Sequence, residues 1–288
     1  MKPLRNRINR ESRKSGIAQY IVEKDYALSY LLFGFSTQEA LAENLILKGG
    51  TALRKLYFGD YRFSEDLDYS TLAVQTGQQL EDALRGALEA SMAGIRTHGP
   101  FEMSMERLVL REPHPRGQDA FKIRVRFPWH PDPRCIVKVE VTQDEPILLP
   151  PETRTLLHGY EEELDVNVRC YCLEEVLIEK MRALLQSRER LNRRGWEPRV
   201  ARDYYDIWRI LSDFGNDSNL DGIIDLLENK CSHRGVAFES LDDFLAEELV
   251  AEARRSWPAV IGKFVREPPE SDKVIEDLER LLPEMLEA

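Results

Sequence analysis

Long apolar runs are missing from this 288-residue chain. None approaches the roughly 20 residues that span a bilayer, so no membrane partner is expected. Cysteine is scarce: Cys135, Cys170, Cys172 and Cys231 follow no metal-ligand spacing, and Cys170-x-Cys172 is a poor bridge. Ordinary buried thiols in a reducing cytoplasm are the expectation. The histidines (His98, His114, His130, His158, His233) are scattered and nominate neither a zinc site nor a catalytic base. The first residues, MKPLRNRINRESRKSG, lack the apolar stretch of a secretory signal. Internal repeats and low-complexity tracts are absent as well. Basic residues are the minority, 40 against 51 acidic, for a net charge of −11. That argues against a protein that binds nucleic acid over its whole surface.

What the chain does have is an ordinary globular balance, 42% hydrophobic and 32% charged. It is enough for a sizeable core in one large domain or two modest ones. The basic residues are also unevenly spread. Residues 180–202 hold Lys180, Arg182, Arg188, Arg190, Arg193, Arg194, Arg199 and Arg202 against only Glu189 and Glu197. Residues 1–14 are basic too, and the tail from Glu239 is acidic. A local basic patch on an acidic protein still steers a polyanion to it.

Spacing gives the coarse organisation. Residues 16–34 have helical periodicity, and a helix is expected over about 75–96. Strands are expected at Glu102–Leu110, Phe121–Phe127 and Ile136–Thr142, the last two by clean alternation of apolar and charged side chains. From Leu173 the pattern is helical: about 173–190, 199–213, 219–231, 240–255 and 271–286. An α+β lobe over 1–160 followed by a helical lobe over 161–288 fits this order.

The densest information lies in Lys48–Tyr69, KGGTALRKLYFGDYRFSEDLDY. An apolar run, Leu45–Leu47, leads into Gly49-Gly50-Thr51, then a short helix, then Asp66 and Asp68. Glycines let backbone N–H groups approach an anion, and the helix that follows turns its positive end toward phosphate. If 66–69 is extended, both aspartates point to one side. A carboxylate pair of that kind suits Mg²⁺, which takes hard oxygen ligands together with substrate phosphates. Either element alone reads as an ordinary turn or a solvated loop; their order within one short unit reads as nucleotide chemistry. Glu140, on the polar side of the strand at 136–142, is either solvated or the third acid of a metal-binding triad able to hold two ions.

In the helical half, Leu173, Val176, Leu177, Met181, Leu184 and Leu185 form one stripe, and Lys180 falls inside it. Such a lysine either snorkels out or meets negative charge, from buried carboxylates or from a phosphate. Over Val200–Leu211, Asp203 lies on the flank of the apolar face, Asp206 further out and Arg202 on the solvent side. Asp203 pairs either with an arginine or with Lys180.

These residues resemble the AbiEii/AbiGii toxins, the nucleotidyltransferase-like toxins of bacterial abortive-infection and toxin–antitoxin systems that include the MenT group. The matching elements are Gly49-Gly50-Thr51, Ser64-x-Asp66-x-Asp68, Lys138-Val-Glu140-Val, Glu179-Lys180 with Ala183-Leu184 and Arg188, and Arg202-Asp203-x-Tyr205-Asp206. The resemblance implies a polymerase-β-like nucleotidyltransferase core with a helical C-terminal lobe. It implies Asp66 and Asp68 as ligands of Mg²⁺ (or Mn²⁺), with Glu140 at the position of a third acid. It also implies Gly49, Gly50, Thr51 and Ser64 around the NTP, Lys180 on the triphosphate, and Asp203 in support. The implied reaction moves NMP from an NTP to an acceptor hydroxyl, a tRNA 3′ end as the resemblance implies, blocking translation, with a cognate antitoxin as partner. Arg188, Arg190, Arg193 and Arg194 are then candidate RNA-binding residues. Two alternatives stand: a small-molecule or protein side-chain acceptor, and a degenerate nucleotide-binding regulatory protein.

Overall fold

The computed structural model describes residues 2–73, 77–109, 117–214 and 220–287. The chain divides into two compact units, Met1–Ile147 with Pro151–Tyr171, and Leu148–Pro150 with Cys172–Ala288.

The first unit opens with α1 (Leu4–Ser15), α2 (Gln19–Ser36) and α3 (Glu39–Asn44), and then enters its sheet. The strands are β1 (Leu45–Lys48), β2 (Leu67–Thr71), β3 (Glu102–Arg107), β4 (Gln118–Arg126), β5 (Cys135–Thr142), β6 (Glu152–Thr155) and β7 (Asn167–Cys170). Between β1 and β2 run α4 (Gly49–Ala52) and a π-helical turn over Leu53–Tyr57; α5 (Gln78–Ile95) follows β2. The sheet order is β3-β4-β5-β2-β1-β7-β6. β2 runs parallel to β5 and antiparallel to β1, which is parallel to β7. The central strand β1 is apolar at consecutive positions, Leu45, Ile46 and Leu47, because both of its faces are buried. β4 and β5 alternate instead. Phe121, Ile123, Val125, Val137, Val139 and Val141 are all buried on one face, while Lys122, Arg124, Lys138 and Glu140 occupy the other. At the β3–β4 edge, Glu106 pairs across the strands with Lys122 at 2.9 Å and Arg124 at 3.0 Å.

The expected α+β class holds. The expected strand to Leu110 ends at Arg107, with Leu110 outside the described residues, as is the start of the expected helix at 75–96. α1, β6 and β7 were not foreseen. β6 and β7 are four residues each, and β6 (ETRT) carries no hydrophobic alternation.

The second unit is helical: α6 (Leu173–Arg194), α7 (Arg199–Phe214), α8 (Ile223–Arg234), α9 (Glu247–Val260) and α10 (Ser271–Glu287). The helix expected over 219–231 begins at Ile223, and Asn219 lies outside the described residues. The one expected over 240–255 is broken into a 3₁₀ turn, Leu241–Leu245, and α9. The break follows from the Ser240 capping box, whose Asp243 side chain takes the Ser240 N–H, and from Ala246 in an extended conformation. α7 is enclosed by α6, α9 and α10. A buried ion cluster ties α8 to α6: Lys230, with no exposed side chain, lies 2.6 Å from Glu175 and 3.0 Å from Glu179. Glu175 also accepts the N–H groups of Leu148 (3.2 Å) and Leu149 (2.9 Å), which fixes Leu148–Pro150 to this unit.

Candidate active site

The Gly-Gly-Thr turn sits at the C-terminal end of β1 and is anchored at both ends. Gly49 has φ of +71°, the left-handed region that favours glycine, and a Cβ there would lie 3.2 Å from Asp68 Oδ2. A Cβ on Gly50 would come 2.6 Å from the guanidinium of Arg62, itself buried. The two glycines thus let the turn close onto an aspartate on one side and an arginine on the other. Thr51 is 1% exposed; its hydroxyl donates to the Asp66 carbonyl and lies 2.8 Å from the Ser64 hydroxyl. These bonds tie the turn to the chain leading into β2. They also commit the Thr51 side chain internally, so what the turn offers an anion is backbone N–H. Beyond the turn, Arg54 and Lys55 clamp Asp25 of α2 at 3.1 and 2.7 Å, and Tyr160 donates to the same carboxylate at 3.0 Å. Burial alone would raise the Asp25 pKa, but Lys55 and Arg54 bring it down to about 2.

Asp66 immediately precedes β2 and Asp68 is its second residue. Asp68 stands in register with Glu140 on β5 and with Lys48 on β1, so these three share a sheet face. Glu140 lies 2.8 Å from Lys138 and accepts a 2.8 Å bond from Gln118; Lys48 lies 3.5 Å from Glu145. The Asp66 pKa is raised, first by burial and then by the negative charges of Glu65 and Glu140, against the pull of Lys24 and Lys138. Among the described residues, no three His, Cys, Asp or Glu side chains converge closely enough to hold a metal ion. The three-acid site is therefore not preassembled. The chemistry still fits a divalent cation at the two aspartates: the donors are hard oxygens, and a carboxyl held above its ordinary pKa first by burial and then by neighbouring negative charge gains from a cation beside it. Glu140 would have to give up Lys138 to join them.

In the second unit the stripe of α6 is buried as expected, from Leu173 to Leu185. Lys180 neither snorkels free nor stays unmatched. Its Nζ lies 3.0 Å from Asp203 and 2.8 Å from Asp206. The two aspartates are three residues apart on α7, so both reach one partner. Asp206, expected further out than Asp203, is instead wholly buried, against Lys180 of α6. Of the candidate RNA-binding arginines, Arg188 is engaged by Glu248 at 2.6 Å and Asp243 at 3.4 Å. Arg190 and Arg194 line a cleft with Arg199 and Arg202, while Arg193 is exposed and not in its lining.

A family model for the nucleotidyl transferase AbiEii toxins of type IV toxin–antitoxin systems matches residues 30–282. The chain belongs to that family. No curated protein matches the chain. As an AbiEii-family toxin it is a nucleotidyltransferase, which implies an NTP substrate and an antitoxin partner. The match takes in the Gly-Gly-Thr turn, both aspartates and the Lys180 cluster, and leaves α1 outside. No described helix is long and apolar enough to cross a membrane.

Sequence reasoning about this AbiEii chain missed Arg62 and the Asp25 clamp, and named Asp206 but placed it further from the core than it lies. Asp206 carried a usable signal, the i, i+3 repeat of aspartates opposite a lysine embedded in an apolar stripe. Arg62 carried only a weak one, a lone arginine in the loop between the glycines and the acids.

Proposed function

We propose that this toxin moves NMP from an NTP to the 3′ hydroxyl of a tRNA in the bacterial cytoplasm, blocking aminoacylation and with it translation. The observation that carries the reading is the closure of Gly49 onto Asp68, with the Asp66 main-chain carbonyl tied to Thr51, which puts a backbone N–H turn beside the Asp68 carboxylate and fixes the chain that carries Asp66. The acceptor oxygen forms a bond to the α-phosphorus as the α–β bridging bond breaks; pyrophosphate leaves with the electron pair and the hydroxyl proton is released. Asp66 and Asp68 would hold a divalent cation of the Mg²⁺ type, which neutralises triphosphate charge and acidifies the attacking hydroxyl. Gly49 and Gly50 let the backbone approach the phosphates, and Arg62 behind Gly50 adds positive charge to that wall. In the second unit Lys180, held by Asp203 and Asp206, is the candidate lysine for NTP phosphate that the family resemblance implies.

The test is direct. Pure protein is incubated with Mg²⁺, each labelled NTP in turn, and total RNA. Label should appear on tRNA 3′ ends and vanish with EDTA, with Asp66→Ala and with Asp68→Ala, while both variants keep wild-type circular dichroism and melting. Label on RNA that survives both substitutions overturns the metal assignment. Label confined to small molecules or protein replaces the acceptor.

A further inference from the structure

The turn between α6 and α7 holds a cleft of about 500 Å³ lined by Arg190, Arg194, Trp196, Glu197, Arg199 and Arg202. Its frame is fixed by bonds within the second unit. α6 is capped by Gly195, φ +75°, whose carbonyl accepts from Arg255 at 3.0 Å, and the Glu197 N–H donates to Glu252 at 3.0 Å. Pinned this way, the turn presents Trp196 at the surface with 58% of it exposed, an expensive place for an indole.

The charge is lopsided. Glu197 is the one carboxylate in the lining, and it lies 3.9 Å from Arg190, too far for a hydrogen bond. Arg194 and Arg199 make no ion pair with a carboxylate among the described residues. Arg202 lies over the Phe264 ring at 5.2 Å. The Arg190 pKa is pushed down by burial and then by repulsion from Arg199, against the opposing pull of Glu197 and Asp203. A wall of guanidinium groups calls for a multiply charged oxyanion, which they bind bidentately. An exposed indole at its rim calls for a flat partner. The volume is that of a pocket for a molecule of nucleotide size.

We infer that this cleft binds a phosphorylated nucleoside, phosphates on Arg194, Arg199 and Arg202 and base stacked on Trp196. A nucleotide within an RNA strand and a free nucleotide share that chemistry. The pocket stands on its own observations; only its use to hold an RNA acceptor rests on the transferase reading.

Binding is measured in EDTA without NTP, so failure of the transferase chemistry and failure of this pocket are separate results. A short labelled single-stranded RNA, AMP and inorganic phosphate are titrated against wild type, Trp196→Ala and the double variant Arg194→Gln/Arg199→Gln. Loss of stacking should weaken RNA or AMP about 5- to 150-fold in Trp196→Ala and leave inorganic phosphate unchanged. The double variant should weaken all three and flatten the salt slope for RNA by about 1.4, roughly 0.7 for each RNA phosphate that an arginine no longer neutralises. RNA binding far tighter than AMP assigns the pocket to a strand; equal affinity for the two assigns it to a free nucleotide. RNA and AMP affinities that ignore Trp196→Ala, or parallel salt slopes in the double variant, overturn the inference.

Discussion

Lys180→Ala removes the ammonium that lies 3.0 Å from Asp203 and 2.8 Å from Asp206. The Asp206 side chain is completely buried and that of Asp203 is 7% exposed, so two like charges one helical turn apart would be left with little water to solvate them. Removing one partner of a buried pair costs about 3–5 kcal/mol. Lys180 keeps 15% of its side chain exposed, which favours the low end of that range. Urea denaturation reads this as a lower midpoint at unchanged m. Lost NTP binding in the same variant is ambiguous, since a destabilised helical unit binds poorly for any reason. The triple variant Lys180→Met/Asp203→Leu/Asp206→Leu resolves it by removing all three charges together, and replacing a whole buried ion cluster by apolar groups of similar volume is often nearly neutral in stability. Stability should return toward wild type while NTP affinity stays low. A Lys180→Ala protein within about 1 kcal/mol of wild type would refute the account of the cluster. Wild-type NTP affinity in the triple variant would remove Lys180 from the triphosphate.

The other expectations concern the sheet site and the α6–α8 cluster. Gly49→Ala forces a side chain into φ +71° with its Cβ 3.2 Å from Asp68 Oδ2, so it should cost about 1–2 kcal/mol and reduce transfer by more than that loss explains; unchanged melting and kinetics would contradict the close approach. Glu140→Gln removes one of the charges that raise the Asp66 pKa, so the acid limb of kcat/KM should move to lower pH and transfer at limiting Mg²⁺ should fall. An unmoved limb would separate the two acids. Lys230→Met strands Glu175 and should cost about 3–5 kcal/mol by urea denaturation. Burial lowers the Lys230 pKa, but Glu179 and Glu175 outweigh it and the net shift is upward. Its contribution is therefore complete below the ordinary lysine range and lost as pH climbs through the raised value, so the gap between variant and wild type should narrow only in strong alkali.

Much of the fold was legible because its signals are local. Phe121–Phe127 and the valines of β5 alternate over consecutive residues, and the α6 stripe repeats within one helix. β6 and β7 were not legible, since each is four residues long and is held in place by a sheet edge rather than by its own pattern. α1 was read only as a basic segment; its helical face is sparse, Leu4 and Ile8 with the buried Arg7 among them.

The candidate site divides along the same line. Gly49, Gly50, Asp66 and Asp68 lie within one strand–turn–helix–strand unit, so a linear reading finds them. What fixes their geometry comes from elsewhere in the chain. Arg62 fills the space a Gly50 side chain would take, and Asp25, from a helix that precedes the sheet, holds the turn through Arg54 and Lys55. Asp206 makes the same point in the helical unit: its neighbours on α7 place it beyond the apolar face, and Lys180 from α6 meets it where it is wholly buried. A helical wheel sees one partner face, and α7 has several. Burial of a charged residue is a property of everything that packs around it, so the charges most worth mutating here are the ones a single-helix projection misplaces.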